Sequence, residues 1–268
     1  MVYFLNIRTF EQMNSREKTF PIVSIITITF NNRSNLAKTI TSVKSQDYKN
    51  IEYIIIDGGS NDGSVEIIKE NESIISKWVS ESDNGIYDAM NKGINFAKGD
   101  YVWFLNAGDV IHSPNTIKEI FSLSANADVY YGDTELVDDS GKSFGKRKLK
   151  TPPEKLSWKK MIDGMIITHQ SLIIKRSLIP LYDLNYKFCA DIDWTITVLQ
   201  NSKNVFNTKM IISNFLMGGY SRANTIKSLK ERYKILSKYF NPVYVFLNHI
   251  KLGFIFIGHI IRNRKILG

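Results

Sequence analysis

Between residues 21 and 105, short runs of β-branched and aliphatic residues alternate with amphipathic stretches, and few architectures bury such a pattern. Val23-Ser24-Ile25-Ile26-Thr27-Ile28-Thr29 reads as a buried strand. Asn31-Asn32-Arg33-Ser34-Asn35 breaks it and offers an N-cap for a helix carrying Leu36, Ile40 and Val43. Ile51 to Ile56 is a second strand, Trp78-Val79 lies on a third, and Tyr101 to Leu105 forms a fourth. Asn84-Gly85 opens a helix running through Ala97. Strands alternating with helices predict an α/β fold, a Rossmann-like, mostly parallel sheet flanked by helices. Ligands on such sheets bind beyond the carboxyl ends of the strands. That rule points to the loops that begin at Thr29, Asp57 and Asn106.

Past residue 150 the alternation loosens. Asp133 to Phe144 reads as a hairpin turning at Asp138-Asp139-Ser140-Gly141. Ser171–Ile174 and Met210–Met217 suit strands, and Asp191–Leu199 suits a helix. The expected organisation is an N-terminal extension over 1–20, a catalytic domain over 21–221 and a helical region over 222–268. A single cysteine, Cys189, excludes an internal disulfide framework and a cysteine-built metal site. No secretory signal is visible in the polar first twenty residues, which predicts a reducing, cytoplasmic setting.

Charge separates the body from its tail. Of 35 basic residues ten lie in 222–268, against one of 26 acids, so residues 1–221 are balanced and the tail carries the whole +9. A uniformly basic nucleic-acid binder would not divide this way, whereas a tail that meets an anionic surface would. Within the tail, Val243–Ile261 is mostly apolar, and Asn248, Lys251, His259 and Arg262 share a narrow helical stripe. Lys251 near the centre disfavours a spanning helix by about 2.5–3.5 kcal/mol. A helix lying in the plane of the inner membrane surface, its polar stripe in the headgroups, is the favoured reading. A spanning helix comes second and a dimer-forming helix third.

Three clusters stand where the ligand rule wants them. Asp57 precedes Gly58-Gly59-Ser60-Asn61-Asp62-Gly63, a loop whose glycines allow close backbone approach and whose carboxylate can accept from a base or a ribose. It is not a phosphate-binding G-x-x-x-x-G-K-S/T loop. Asn106-Ala107-Gly108-Asp109 supplies hard oxygen ligands on a tight turn, a set that suits a divalent cation holding phosphate oxygens. Asp191 and Asp193 are spaced i, i+2 and do not share a helix face, so they do separate work. Taken singly, each cluster also reads as an ordinary polar turn or a helix-capping acid.

Together, VSIITITFNN (23–32), DGGSNDG (57–63), DNGIYDAMNKG (83–93), FLNAGD (104–109) and CADIDW (189–194) resemble the nucleotide-sugar glycosyltransferases of family 2, with the GT-A fold. The similarity runs from about Pro21 to about Tyr220 and is nearest to bacterial transferases that build surface polysaccharides. The resemblance implies that Thr29 and Asn31 border the nucleotide and that Asp57 pairs with its base, usually uracil. It places Asp88 and Asn91 on the helix flanking the donor. Asn106 would contact ribose or phosphate, Asp109 would ligate Mn²⁺ or Mg²⁺, and Asp191 would be the general base of an inverting transfer. A nucleotide-sugar donor and a saccharide or lipid-linked acceptor are the implied partners.

Two positions depart from the family pattern. Asn106 replaces the first acid of its D-x-D motif, with Gly108 where a middle acid often stands, and Ala190 replaces the usual Glu before Asp191. No Q-x-x-R-W signature of processive synthases is present, which favours single addition. The departures leave room for a donor-binding protein that has lost catalysis. A sugar nucleotidyltransferase is a weaker rival, because Phe30–Ser34 lacks the glycine-rich basic loop such enzymes carry. His169-Gln170 reads first as a packed pair and second as a border of acceptor or pyrophosphate. Gly218-Gly219-Tyr220-Ser221 resembles the family's G-G-x-S loop. Lys146-Arg147-Lys148 and Lys150 read as a solvated basic face.

Overall fold

A computed structural model describes residues 20–124, 126–148, 151–217 and 225–264. The elements are β1 (Val23–Thr29), α1 (Arg33–Lys44), β2 (Ile51–Asp57), α2 (Ser64–Glu70), β3 (Lys77–Ser80), α3 (Ile86–Phe96), β4 (Tyr101–Phe104), β5 (Val110–Ile111), α4 (Thr116–Leu123), β6 (Val129–Val137), β7 (Ser143–Lys146), β8 (Leu172–Lys175), α5 (Ala190–Asn201), β9 (Val205–Leu216), α6 (Thr225–Tyr239) and α7 (Pro242–Arg264). Among the described residues the strands join one nine-stranded sheet in the order β3-β2-β1-β4-β8-β6-β9-β5, with β7 paired to β6. Strands β1 to β4 are mutually parallel, β6 and β9 run the same way, and β8 enters antiparallel between β4 and β6. This is the mostly parallel, helix-flanked sheet that the sequence predicts.

Every residue of β1 is buried, as a central parallel strand covered on both faces requires. Alternate residues feed two cores. Ile26 and Ile28 join Ile54, Ile56, Phe104 and Trp194 on one face, and Val23 and Ile25 join Leu36, Ile40, Tyr53 and Trp103 on the other. Residues Thr29, Asp57 and Ser80 lie in register at the carboxyl edge, so the loops that follow them open side by side. The expected hairpin is β6–β7, its turn held by Asp138 Oδ1, which accepts the N–H groups of Ser140 and Lys142.

The C-terminal helices are packed into the body. Ile235 and Leu236 of α6 and Val245 of α7 are fully buried in the cluster that contains Trp194. Asn248 of α7 donates to the carbonyl of Ile162 (3.0 Å) and to Asp163 Oδ1 (3.1 Å), on a 3-10 turn spanning Trp158–Asp163. The polar stripe expected in the headgroups therefore begins with a residue turned inward. The outward face of α7 is apolar, with Val243, Phe246, Leu247, Ile250, Phe254 and Ile257 exposed. Burying an amide that finds two acceptors costs little, whereas these apolar side chains are left uncovered among the described residues. Among the described residues no helix is long and apolar enough to cross a membrane. The Gly218–Ser221 loop, Lys150 and the side chains of His259 and Arg262 lie outside the described residues.

Candidate active site

A cavity of about 620 Å³ opens at the carboxyl edge of β1 and β4, within the size range of ligand sites. Its floor is Thr29 and Ile28 from β1 with Asn106 and Ala107 after β4. Asp83, Asn84, Tyr87 and Asp88, at the start of α3, form one wall, and Tyr186, Lys187 and Phe188, just before α5, form another. Phe30 closes the side next to the glycine loop. A Cβ on Gly58 would stand 2.7 Å from Asp83 Oδ2 and 3.2 Å from the Phe30 ring, so a larger residue here would have to displace the Asp83 carboxylate.

Thr29, Asp88 and Asn106 line this cavity. Two of their polar atoms, Thr29 Oγ1 and Asn106 Oδ1, are buried without a hydrogen-bond partner among the described residues. A buried polar atom left unpaired costs about 1–3 kcal/mol, which a ligand hydroxyl or amide can offset. Asp88 Oδ2 accepts the N–H of Asn84 at 3.0 Å and fixes the turn that opens α3.

Asn31, Asp57, Asn91, Asp109 and Asp191 are not among the cavity's lining residues. Asp57 is fully buried, and its oxygens accept from Ser60 N–H (2.9 Å), Ser60 hydroxyl and Ser80 hydroxyl (2.6 Å). It holds the glycine loop in shape rather than facing the cavity. Asn31 works on the same loop from outside, its Oδ1 accepting Asn61 N–H at 2.9 Å, and it lines a shallower pocket beside Arg33 and Asp62. Asn91 is turned into the protein, where it donates to the Tyr182 carbonyl (3.0 Å) and accepts the Tyr182 N–H (2.7 Å). That two-point clamp sets Tyr182, which stacks between Tyr87 and Trp194 at 5.2 and 4.9 Å. Asn32 does not cap α1 through its side chain but reaches the Ala107 carbonyl.

Asp109 sits behind Asn106 and does not line the cavity. It is 4% exposed, with Oδ2 accepting from Gln170 Nε2 (2.7 Å) and Oδ1 from Leu216 N–H (3.1 Å). Burial pushes its carboxyl up to about 7, against the lowering effect of the bonds from Gln170 and Leu216. The turn is tight for a stated reason: Gly108 has φ +106°, and a Cβ there would meet Leu216 Cδ2 at 2.8 Å, so an acid cannot take that position. His169 Nε2 lies 3.2 Å from Asn106 Nδ2, and burial holds the ring down at about 4, so it is neutral. The His169-Gln170 pair thus serves the Asn106–Asp109 turn directly. Among the described residues no cluster of three or more His, Cys, Asp or Glu could hold a metal alone. Asp109 and the unpartnered Asn106 Oδ1 are hard oxygen donors that fit a divalent cation when phosphate oxygens complete the shell.

The two acids of α5 divide their work. Asp193 accepts from Lys238 Nζ (3.0 Å) and Tyr239 hydroxyl (2.8 Å), fastening α6 to α5. Asp191 points the other way, with Oδ1 3.4 Å from the hydroxyl of cavity-lining Tyr87. Burial, reinforced by Asp191, raises the Tyr87 phenol far above its ordinary value, so it stays protonated and a donor. The loop before α5 is pinned from α6, where Glu231 accepts the N–H groups of Lys187 (2.8 Å), Phe188 (2.7 Å) and Cys189 (2.7 Å). Asp83, Tyr87, Phe188 and Glu231 are site residues that sequence reasoning passed over. The D-N-G-I-Y-D run did carry the first two, since an Asx turn before a helix at a strand edge aims its side chains at the ligand crevice. The basic run after β7 is only partly a solvated face, as Lys146 pairs with Asp133 and Arg147 reaches the Met165 carbonyl.

Comparison with known proteins agrees with this geometry. The family model "Glycosyl transferase family 2" matches residues 24–180, more than half of the chain. An uncharacterized glycosyltransferase of Mycobacterium tuberculosis is 36% identical over 181 residues, 64% of this chain and 66% of that protein, so the match spans just under two thirds of the relative. An Escherichia coli relative described as a UDP-Glc:alpha-D-GlcNAc-diphosphoundecaprenol beta-1,3-glucosyltransferase is 25% identical over 240 residues, 87% of this chain and 93% of that one. Among solved structures, Staphylococcus aureus TarS in complex with UDP-GlcNAc superposes with TM-score 0.62 at 16% identity, covering 80% of this chain and 64% of that one. A Pyrobaculum calidifontis mannosyltransferase bound to GDP-Man and Mn²⁺ superposes with TM-score 0.59 at 14% identity, covering 87% and 69%. The sheet order, the cavity at its carboxyl edge and the matched segment agree: the fold is GT-A-like, and the chain belongs to glycosyltransferase family 2.

Proposed function

We propose that this transferase moves a sugar from a nucleoside-diphosphate donor, most simply a UDP-sugar, to a saccharide hydroxyl with inversion at the anomeric carbon. The observation that carries the reading is the division of α5. Asp191 stands just behind the cavity lining, accepting from the hydroxyl of cavity-lining Tyr87 at 3.4 Å, while Asp193 is bound to α6. The acceptor oxygen forms its bond to the anomeric carbon as the bond from that carbon to the phosphate oxygen breaks. The acceptor proton passes to Asp191, and the nucleoside diphosphate leaves with the bonding electrons. Asn106 and Thr29, each with an unpaired buried oxygen, would bind the donor, and Phe30 offers a ring face to its base. Asp109 and Asn106 would hold a divalent cation, which when bound neutralises developing charge on the diphosphate.

The acceptor is proposed to be a lipid-linked saccharide at the inner face of the cell membrane. The apolar outer face of α7 and the +9 tail support that location, and the E. coli relative's named acceptor is of this class. Nucleoside diphosphate release from a panel of UDP- and GDP-sugars, with Mn²⁺ and with EDTA, tests the function. Release with one donor in the presence of Mn²⁺ is expected. No release with any donor and acceptor extract would leave a donor-binding protein instead.

A further inference from the structure

A second and larger cavity, about 1280 Å³, lies away from the first, between α6, α7 and the Trp158–Asp163 turn. Its floor is hydrocarbon, from Ile162, Ile166, Leu229, Phe246, Ile250 and Ile255. Its rim is cationic, from Lys159, Lys160, Lys230, Arg232 and Lys251. Asp163 is the sole acid of the lining, and its Oδ1 already accepts from Asn248. Arg232 is the most telling group. Burial lowers its pKa, its Nε donates to His249 Nε2 at 3.0 Å, and it has no ion pair among the described residues. A half-buried guanidinium whose one nearby lining acid, Asp163, forms no ion pair with it is incompletely compensated, and a phosphate is the anion its fork fits best.

We propose that this groove binds an anionic lipid, its phosphate or diphosphate head on the Arg232 and lysine rim and its hydrocarbon chain along the Ile162–Ile250 floor. The inference deepens the reading of a lipid-linked acceptor and rests on it. A free phosphate would leave the floor wet, and an uncharged detergent would leave the rim unpaired. The groove is continuous with the apolar outer face of α7 through Phe246 and Ile250, so a chain can enter from a bilayer without crossing water. It also communicates with the donor cavity. Glu231 lies between groove residues Lys230 and Arg232 on α6 and holds the main chain of Lys187 and Phe188, which line that cavity.

Calorimetry on the full chain without donor tests this, using dodecyl phosphate below its critical micelle concentration, inorganic phosphate and dodecyl maltoside as probes. Dodecyl phosphate should bind at least ten-fold more tightly than either of the others. Arg232→Gln and the surface pair Lys159→Gln/Lys160→Gln should each weaken it at least five-fold, and the double variant decides should Arg232→Gln not fold. Lys227→Gln, an exposed tail lysine outside the lining, should change nothing. Equal binding of inorganic phosphate or of dodecyl maltoside would overturn the proposal, as would equal weakening by Lys227→Gln. Asp191→Asn should bind the probe as the parent does. Probe binding without any sugar transfer would refute the proposed function alone, and transfer to a soluble acceptor without probe binding would refute the groove alone.

Discussion

Replacing Glu231 by Ala should loosen the N-terminal end of α5 from a position on another helix. The N-cap residue of α5 is Cys189, which supplies no side-chain cap. The Glu231 carboxylate does that work instead, accepting three consecutive N–H groups at 2.7–2.8 Å. A lost N-cap costs about 0.5–2 kcal/mol, and hydrogen bonds to a charged group are worth about 1.5–3 kcal/mol each when dry. Glu231 is half-buried, so water replaces part of that, and a loss of about 2–4 kcal/mol is expected. For a chain of this size that is a fall in Tm of about 5–10 °C. Glu231→Gln keeps one acceptor oxygen for Phe188 and Cys189 and should lose about half as much. Because Lys187 and Phe188 line the donor cavity, donor affinity should fall with stability in both variants. Urea denaturation and calorimetry with nucleoside diphosphate measure the two effects. A Glu231→Ala protein within 0.5 kcal/mol of the parent, with unchanged donor affinity, would refute the capping argument.

Gly93→Ala on α3 should destabilise by about 1–2 kcal/mol despite the better helix propensity, because its Cβ would stand 2.4 Å from Ile26 Cγ2 in the sheet core; denaturant titration checks this. Asp109 makes the metal-free protein pH-sensitive. Its folded pKa of about 7 lies above the ordinary 3.8, so its contribution is present below about 4 and is lost as pH rises through 7. In EDTA, Asp109→Asn should therefore gain on the parent by about 2–3 kcal/mol between pH 5 and pH 8. His169, held near 4, titrates oppositely in both proteins and cancels in the difference. Mn²⁺ with nucleoside diphosphate should abolish the parent's loss at pH 8, as read by thermal melts. Asn106→Ala should weaken donor binding about ten-fold with little loss of stability, since it removes a polar oxygen that the fold leaves unpaired.

The parallel half of the fold was legible because β-branched runs such as Val23–Thr29 and Ile51–Ile56 have few alternatives, and their ends put the ligand loops in place. The two-residue strand β5 is not legible because Val110–Ile111 is too short for any periodicity, whereas helix α4 does carry a start signal in Ser113-Pro114-Asn115 that sequence reasoning passed over. The candidate site was legible as a set of loops but not as a set of side-chain directions. Asp57 and Asn91 sit in the expected loop and helix, yet each turns to a main-chain or hydroxyl partner that sequence spacing does not reveal. The α7 stripe failed for a related reason. Asn248 is polar on a helical wheel, but the Ile162 carbonyl and Asp163 make its burial favourable, and they lie some eighty-five residues earlier in the chain. Glu231 has the same character: its partners are over forty residues away, and no local pattern marks it.

The central claim is that Asp191 is the base and Asp193 is not. Donor affinity and sugar transfer, measured side by side for Asp191→Asn and Asp193→Asn, test it most directly. Asp191→Asn should hold donor within about two-fold and lose about 10²–10⁴ in transfer rate. Asp193→Asn, which gives up only its bonds to Lys238 and Tyr239, should transfer at near the parent rate with a lower Tm. A dead Asp193→Asn beside an active Asp191→Asn would contradict the account.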